Sequence, residues 1–166
     1  MKEPYLSNML RATVGYMEQN IPQMLSFTDS TIDQQPWEHW ANASFISNSK
    51  TEIDLMAMLR DLIGHAALPG VFGKSLMEKY PGLLHDIYDM DTGMMFFVMG
   101  LPAWTPIPKV YRPHLARQRC WRAMDDFQTA LDANVAGHPD PMWGDLDDVS
   151  PFILGRNKVY QSKSSL

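Results

Sequence analysis

Apolar residues recur at helical spacing along most of the chain, most strongly from Leu83 to Pro108, LLHDIYDMDTGMMFFVMGLPAWTPIP. Leu84, Ile87, Tyr88, Met94, Met95 and Val98 fall on one stripe of a central helix. Met94 to Val98 is apolar all the way round, so it is expected to meet protein, a large apolar ligand or lipid. Gly100 stands where a C-terminal glycine ends a helix, and Pro102, Pro106 and Pro108 prevent a restart. The function is expected here, where an oily helix end runs into a stiff proline loop carrying Trp104.

The same periodicity predicts a first helix over 5–25, with Leu6, Met9, Leu10, Val14, Met17, Ile21 and Met24 facing inward and Pro22 fraying its end. Residues 26–50 read as a long polar connection with a short helical turn around Trp37 and Trp40. A second helix is predicted over 51–68, capped by Thr51, ended by Pro69 and Gly70, with Ile53, Met56, Leu59, Leu62, Ile63 and Ala66 inward. Lys74 to Pro81 reads as a polar bridge. Pro113 is expected to open a fourth helix whose stripe is Leu115, Trp121, Met124, Phe127, Leu131 and Val135. Ser150 and Pro151 signal a last helix with Phe152, Ile153, Val159 and Tyr160, followed by a frayed polar tail. Alternating β-branched runs are absent, so the expected class is all-α, about five helices joined by long loops in a single partial domain spanning 1–166.

Composition narrows the function. A net charge of −5 argues against a nucleic-acid partner, which needs a basic face. A lone cysteine, Cys120, allows no internal disulfide. Unbroken apolar runs fall well short of the roughly 20 residues needed to cross a bilayer, and no signal peptide is visible. Thirteen methionines would suit an adaptable apolar pocket, although they serve a core equally well.

Candidate chemistry is sparse. His39, His65, His85, His114 and His138 never pair at the i, i+4 spacing of two metal ligands on one helical face. His85-Asp86 is an adjacent dyad of the kind used by His-Asp metal-dependent hydrolases, with His65 and Asp125 or Asp126 as further ligands. The ordinary reading is that Asp86 favours the helix N-terminus. Asp91 lies on the apolar stripe, where a carboxylate needs either a raised pKa or a cation. Arg117, Arg119 and Arg122 are at hand, and a structural Asp91–Arg117 ion pair is expected. With Lys109, Arg112 and His114 these arginines form a basic cluster. It reads either as a contact for anionic headgroups beside Trp104, or as a solvated face with pairs such as Arg122–Asp126. Cys120 reads as a small buried hydrophobe.

The run YDMDTGMMFFVMGLPAW followed by HLARQRCW resembles the F-helix, F–G loop and G-helix of cytochrome P450, in the sterol 7α-hydroxylase and prostacyclin-synthase branch with its fungal relatives. Met90, Asp91, Gly100, Leu101, Pro102, Ala116 and Arg117 carry the likeness. LMAMLRDLIGHAALPGVFG is similar to the E-helix, YLSNMLRATVGYMEQNIPQML to the later C-helix, and DLDDVSPFILGRNKVYQ to the segment before the I-helix. The cysteine loop, the I-helix acid-alcohol pair, the Glu-x-x-Arg motif and the membrane anchor of the family have no counterpart.

The resemblance therefore implies an internal fragment of a haem-thiolate monooxygenase, running from the C-helix to just before the I-helix. It implies Phe96, Phe97, Met99, Leu101 and Trp104 as pocket-roof residues for an apolar substrate such as a sterol or fatty acid. For the full enzyme it implies haem, a reductase as redox partner, the endoplasmic reticulum membrane and membrane contact through the F–G loop. No haem is expected on this chain alone. Two other readings stand beside it: a stand-alone helical module binding an apolar ligand or partner helix through Met94 to Leu101, and the His-Asp hydrolase.

Overall fold

The computed structural model describes residues 3–144 and 146–164. The protein is mainly helical, and the chain forms two compact units, Met1–Phe72 with Val149–Leu166 and Gly73–Asp148.

In the first unit α1 (Glu3–Asn20) passes into a single 3-10 turn, Ile21–Gln23, where Pro22 ends the α-helical pattern. A short helix α2 (Pro36–Trp40) sits at the tryptophans, followed by strands β1 (Ser44–Ser47) and β2 (Lys50–Glu52). They pair antiparallel, Phe45 opposite Thr51, with a bulge between Phe45 and Ser47. This hairpin departs from the strandless expectation. Phe45, Ile46 and Thr51 are good strand formers in a run too short to show alternation, and Asn48-Ser49 supplies the turn.

Thr51 therefore belongs to a strand and caps nothing. The next helix, α3 (Leu55–Phe72), starts later, where the Asp54 carboxylate accepts the N–H of Ala57 at 3.0 Å. It also runs through Pro69 and stops at Gly73, whose φ of 86° lies in the left-handed region. Helix α8 (Pro151–Ser164) completes the unit, and Ser150 N–H donates to the Val71 carbonyl at 3.2 Å. The last two residues of the tail read as frayed lie outside the described residues, as does the side chain of Tyr160.

The inward faces differ from the predicted ones. On α3 the buried ladder is Met58, Leu62, Ala66 and Gly70, while Met56 is 76% exposed and Ile63 and Leu59 are also exposed. On α1 Leu6, Leu10 and Val14 face out, as does Ile21 in the following turn, leaving Met9, Thr13 and Met17 half-buried. The reason is steric. The backbone of Gly70 admits Thr13 so closely that an added Cβ would stand 2.6 Å from its Oγ1, and this close approach sets which faces of the two helices meet. Being apolar nearly all round, α3 is also the one described helix long and apolar enough to cross a membrane by length and composition. A core helix has the same composition, and α3 carries Arg60 and Asp61 mid-length.

Trp37, Ala41, Met58 and Leu62 form the core here. Glu38 lies buried beside them and accepts three bonds, from Ser26 N–H (2.9 Å), Ser26 Oγ (3.1 Å) and Gln35 N–H (2.7 Å). With Trp37 Nε1 donating to the Met24 carbonyl at 2.9 Å, this carboxylate folds the 24–35 connection back on itself. Glu38→Ala would leave two backbone donors without their acceptor, a loss of about 2–3 kcal/mol in urea unfolding. An unchanged midpoint would show that the carboxylate does not hold the loop.

The second unit begins with α4 (Lys74–Lys79), where the sequence suggested only a polar bridge. Leu76 is fully buried and anchors that helix. Then follow α5 (Leu83–Thr92), α6 (Met94–Val98) and the long α7 (Pro108–Val135). The central helix is thus two helices, broken at Gly93. Pro108, not Pro113, occupies the first turn of α7; Pro113 lies inside the helix.

Helix α7 buries Pro113, Ala116, Cys120, Ala123, Phe127 and Ala130, a 3-4 repeat of mostly small residues against α5. Of the predicted stripe, Phe127 and Leu131 are buried and Leu115 and Met124 half-buried, while Trp121, 63% exposed, and Val135 face solvent. The small residues Ala116, Cys120 and Ala123 let the helix axes approach, and Trp121 is left outside that contact.

Candidate functional site

The oily segment is built from the break outward. Gly93 is buried against α7, where a Cβ would overlap the ring of Pro113. The missing side chain lets the α5 backbone reach α7 and then turn into α6, whose Phe96 and Phe97 N–H groups both point at the Gly93 carbonyl (2.9 and 3.2 Å). At the other end Gly100 adopts φ 70°. Its N–H donates to Phe97 O (3.1 Å) and that of Leu101 to Phe96 O (3.0 Å), the two bonds of a Schellman motif. Gly100, Pro102 and Pro106 act as the sequence predicts, but Pro108, expected to prevent a restart, opens α7, because a first-turn proline lacks only an N–H that has no partner there.

The proline loop is pinned to α7. His114 Nε2 lies 2.9 Å from the Leu101 carbonyl, so that nitrogen carries the proton, and the ring meets Phe97 edge-on at 4.8 Å. The Pro102 carbonyl accepts both the N–H (3.1 Å) and the hydroxyl (2.8 Å) of Thr105. A firm loop therefore presents Trp104 outward, 82% exposed, beyond α6, where Val98 is 75% exposed and Met94, Met95 and Met99 also face solvent.

Of the five residues read as a pocket roof, Phe96, Phe97 and Leu101 are half-buried while Met99 and Trp104 stand free. Behind them a groove of about 720 Å³ runs along Ile87, Tyr88, Met90, Met94, Phe97 and Val98, with Asp91 and Arg117 also lining it. Sequence reasoning does not mark Ile87, Tyr88 or Met90 as site residues: Ile87 and Tyr88 read as the stripe of a packed helix, and Met90 enters only through the family likeness.

The expected Asp91–Arg117 ion pair is corrected by the geometry. Asp91 is exposed on α5, and among the described residues no ion pair joins the two. The Arg117 guanidinium instead lies over Phe97 (5.4 Å) and Trp121 (4.5 Å). The cross-helix pair is Arg119 with Asp86, its Nε 2.9 and 3.0 Å from the two carboxylate oxygens. A half-turn decides this: the 3-4 repeat that buries Ala116 and Cys120 aims Arg119, not Arg117, at α5's carboxylates.

Asp86 is therefore engaged by a cation, which disfavours its use beside His85 as a metal ligand. Among the described residues no three His, Cys, Asp or Glu side chains gather closely enough to hold a metal ion. Asp126, read as Arg122's partner, accepts the hydroxyl of Tyr80, whose pKa is pushed up to about 12 by that bond and by burial.

Cys120 is buried on the α7 seam, and burial, reinforced by the nearby Asp86 carboxylate, pushes its thiol up to about 11. Among the described residues this is the one thiol, and its setting opposes thiolate formation.

Searched against protein-family models, curated proteins and solved structures, the chain has no match.

Two outcomes follow from this geometry. Gly93→Ala forces α5 off the Pro113 ring and should cost about 1–3 kcal/mol in denaturant unfolding; an unchanged midpoint would mean the helices do not meet there. Cys120, with its thiol near 11 against an ordinary 9.0, should react with a disulfide reagent at pH 8 about a hundredfold more slowly folded than unfolded. The raised value also means that the stability Cys120 contributes is full below pH 9 and is lost as pH rises through 11. Equal rates in native buffer and in urea would show the thiol to be accessible.

Proposed function

We propose that this chain supplies the roof of an apolar-substrate pocket in a haem-thiolate monooxygenase of the cytochrome P450 type, of which it is an internal part. The observation that supports the reading is α6 with its loop: a short helix, fixed at both ends by glycines, that turns Met94, Met95, Val98, Met99 and Trp104 outward. Each large apolar side chain left in water forgoes about 1.5–3 kcal/mol, so a surface of several together marks an interaction site. The substrate is a sterol-like or fatty-acid-like molecule held beneath Phe96, Phe97 and Leu101. Trp104 and the exposed Lys109 and Arg112 touch the endoplasmic reticulum membrane, and a reductase delivers electrons to the full enzyme.

The residues present do not fit a haem thiolate. Cys120 is mid-helix, buried, and held as a thiol, so the ligand to the iron belongs to another part of the enzyme. The groove along Ile87, Met90 and Val98 favours a second reading, a stand-alone module that binds an oily ligand or a partner helix.

The two separate on one experiment with two readouts. Nile red, a neutral apolar dye, should bind the purified chain, and Met95→Asp with Val98→Asp should abolish that binding; uptake unaffected by the double variant removes both readings. The reading frame of the transcript beyond the Leu166 codon should then encode an acid-alcohol I-helix and a Phe-x-x-Gly cysteine loop. A stop codon at that point favours the module and overturns the monooxygenase.

A further inference from the structure

We propose that the α5–α6–α7 groove receives one single-tailed amphiphile with a zwitterionic head, its anionic group on Arg117 and its cationic group at Asp91. This rests on the second reading above, the groove as a place for an oily ligand, and gives that ligand a head-group class.

The tail half of the argument is the lining. Ile87, Met90, Met94 and Val98 form the apolar wall of an open groove whose volume, about 720 Å³, lies in the range of small-molecule sites. Methionines at two of these positions adapt to a flexible chain better than branched residues would.

The head half is the pair of charges. The Arg117 guanidinium is held over the rings of Phe97 (5.4 Å) and Trp121 (4.5 Å), contacts that use none of its N–H donors on an acceptor. Among the described residues it has no carboxylate in ion-pair range and no hydrogen-bond acceptor. Its neighbour Arg119 is already committed to Asp86 through both oxygens, so Arg117 is the guanidinium free to take a ligand. Asp91 lines the same groove, exposed and without a cation among the described residues.

Two opposite charges on one groove, not joined to each other, select by sign. A purely anionic head gains Arg117 and is repelled by Asp91; a purely cationic head meets the reverse. An uncharged head, as on a sterol, gains neither. A head that carries both charges is matched at both positions.

The test is calorimetric titration of the full chain with four octyl probes below their micellar concentrations: octylphosphocholine, octyl sulfate, octyltrimethylammonium and octyl maltoside. Octylphosphocholine should bind tightest, about tenfold over the maltoside, as charge-assisted contacts imply. Asp91→Asn should weaken octylphosphocholine and octyltrimethylammonium and strengthen octyl sulfate. Arg117→Gln should do the opposite for the two singly charged probes while also weakening octylphosphocholine. Arg117→Lys, which keeps the charge, should leave octylphosphocholine the tightest of the four probes, and far-UV circular dichroism checks that each variant is folded.

Equal binding of all four probes overturns the head-group assignment and leaves the oily-ligand reading standing. So do variants that weaken all four alike. Binding to phosphatidylcholine vesicles without binding of the monomeric probe assigns the surface to a bilayer and overturns the single-molecule site. Failure of every probe, the maltoside included, removes the underlying reading as well.

Discussion

The second unit depends on one close approach, the backbone of Gly93 against the ring of Pro113. Both partners are unusual at their positions. A glycine inside a helical run lacks the Cβ that would hold a neighbour away, and a proline inside α7 leaves a carbonyl without its usual donor. Together they let α5 and α7 meet along Ala116, Cys120 and Ala123. They also make the central helix turn, so that α6 leaves the seam instead of continuing along it. Without that turn Met94 to Val98 would extend α5 and the groove would not exist.

What is left exposed is as informative as what is buried. Packing along small residues brings α5 onto α7 and, around Gly70 and Thr13, α3 onto α1. In each pair the larger apolar residues are then displaced outward: Leu10 and Val14 on α1, Met56 and Ile63 on α3, Trp121 on α7, the methionines of α6. The hydrophobic effect is proportional to area, so a stable isolated fold would bury the large residues first. The helices do bury Met58, Leu62, Phe127 and Leu131, and the apolar residues on their outer faces are left for something further to cover. That arrangement is the physical support for reading the chain as part of a larger apolar-substrate enzyme.

The charges obey the same geometry. Glu38 is buried but accepts three donors, Asp86 meets Arg119, and the Arg117 guanidinium is spread over two rings. Each is satisfied by neighbours a few residues from where pattern alone would look, because a helix shifted by one residue moves each side chain by about 100°. Ion pairs are therefore the least transferable part of a sequence reading, and Asp91 with Arg117 is the example.

The sequence by itself determined the mainly helical class, the glycine-and-proline stop after Val98, the oily character of 94–104 and the last helix from Pro151. All of these follow from local chemistry: periodicity, backbone freedom at glycine and the missing N–H of proline. It also held the clue to Gly93, a glycine within an apolar run, but no local rule says which partner such a glycine admits. Only the tertiary structure decided that Thr13 meets Gly70, that α7 turns Ala116, Cys120 and Ala123 inward, that Phe45 and Thr51 pair in a hairpin, and that Arg119 rather than Arg117 crosses to α5. Those choices compare one helix face with another across space, and where α3 is apolar nearly all round, spacing along the chain carries no preference between them.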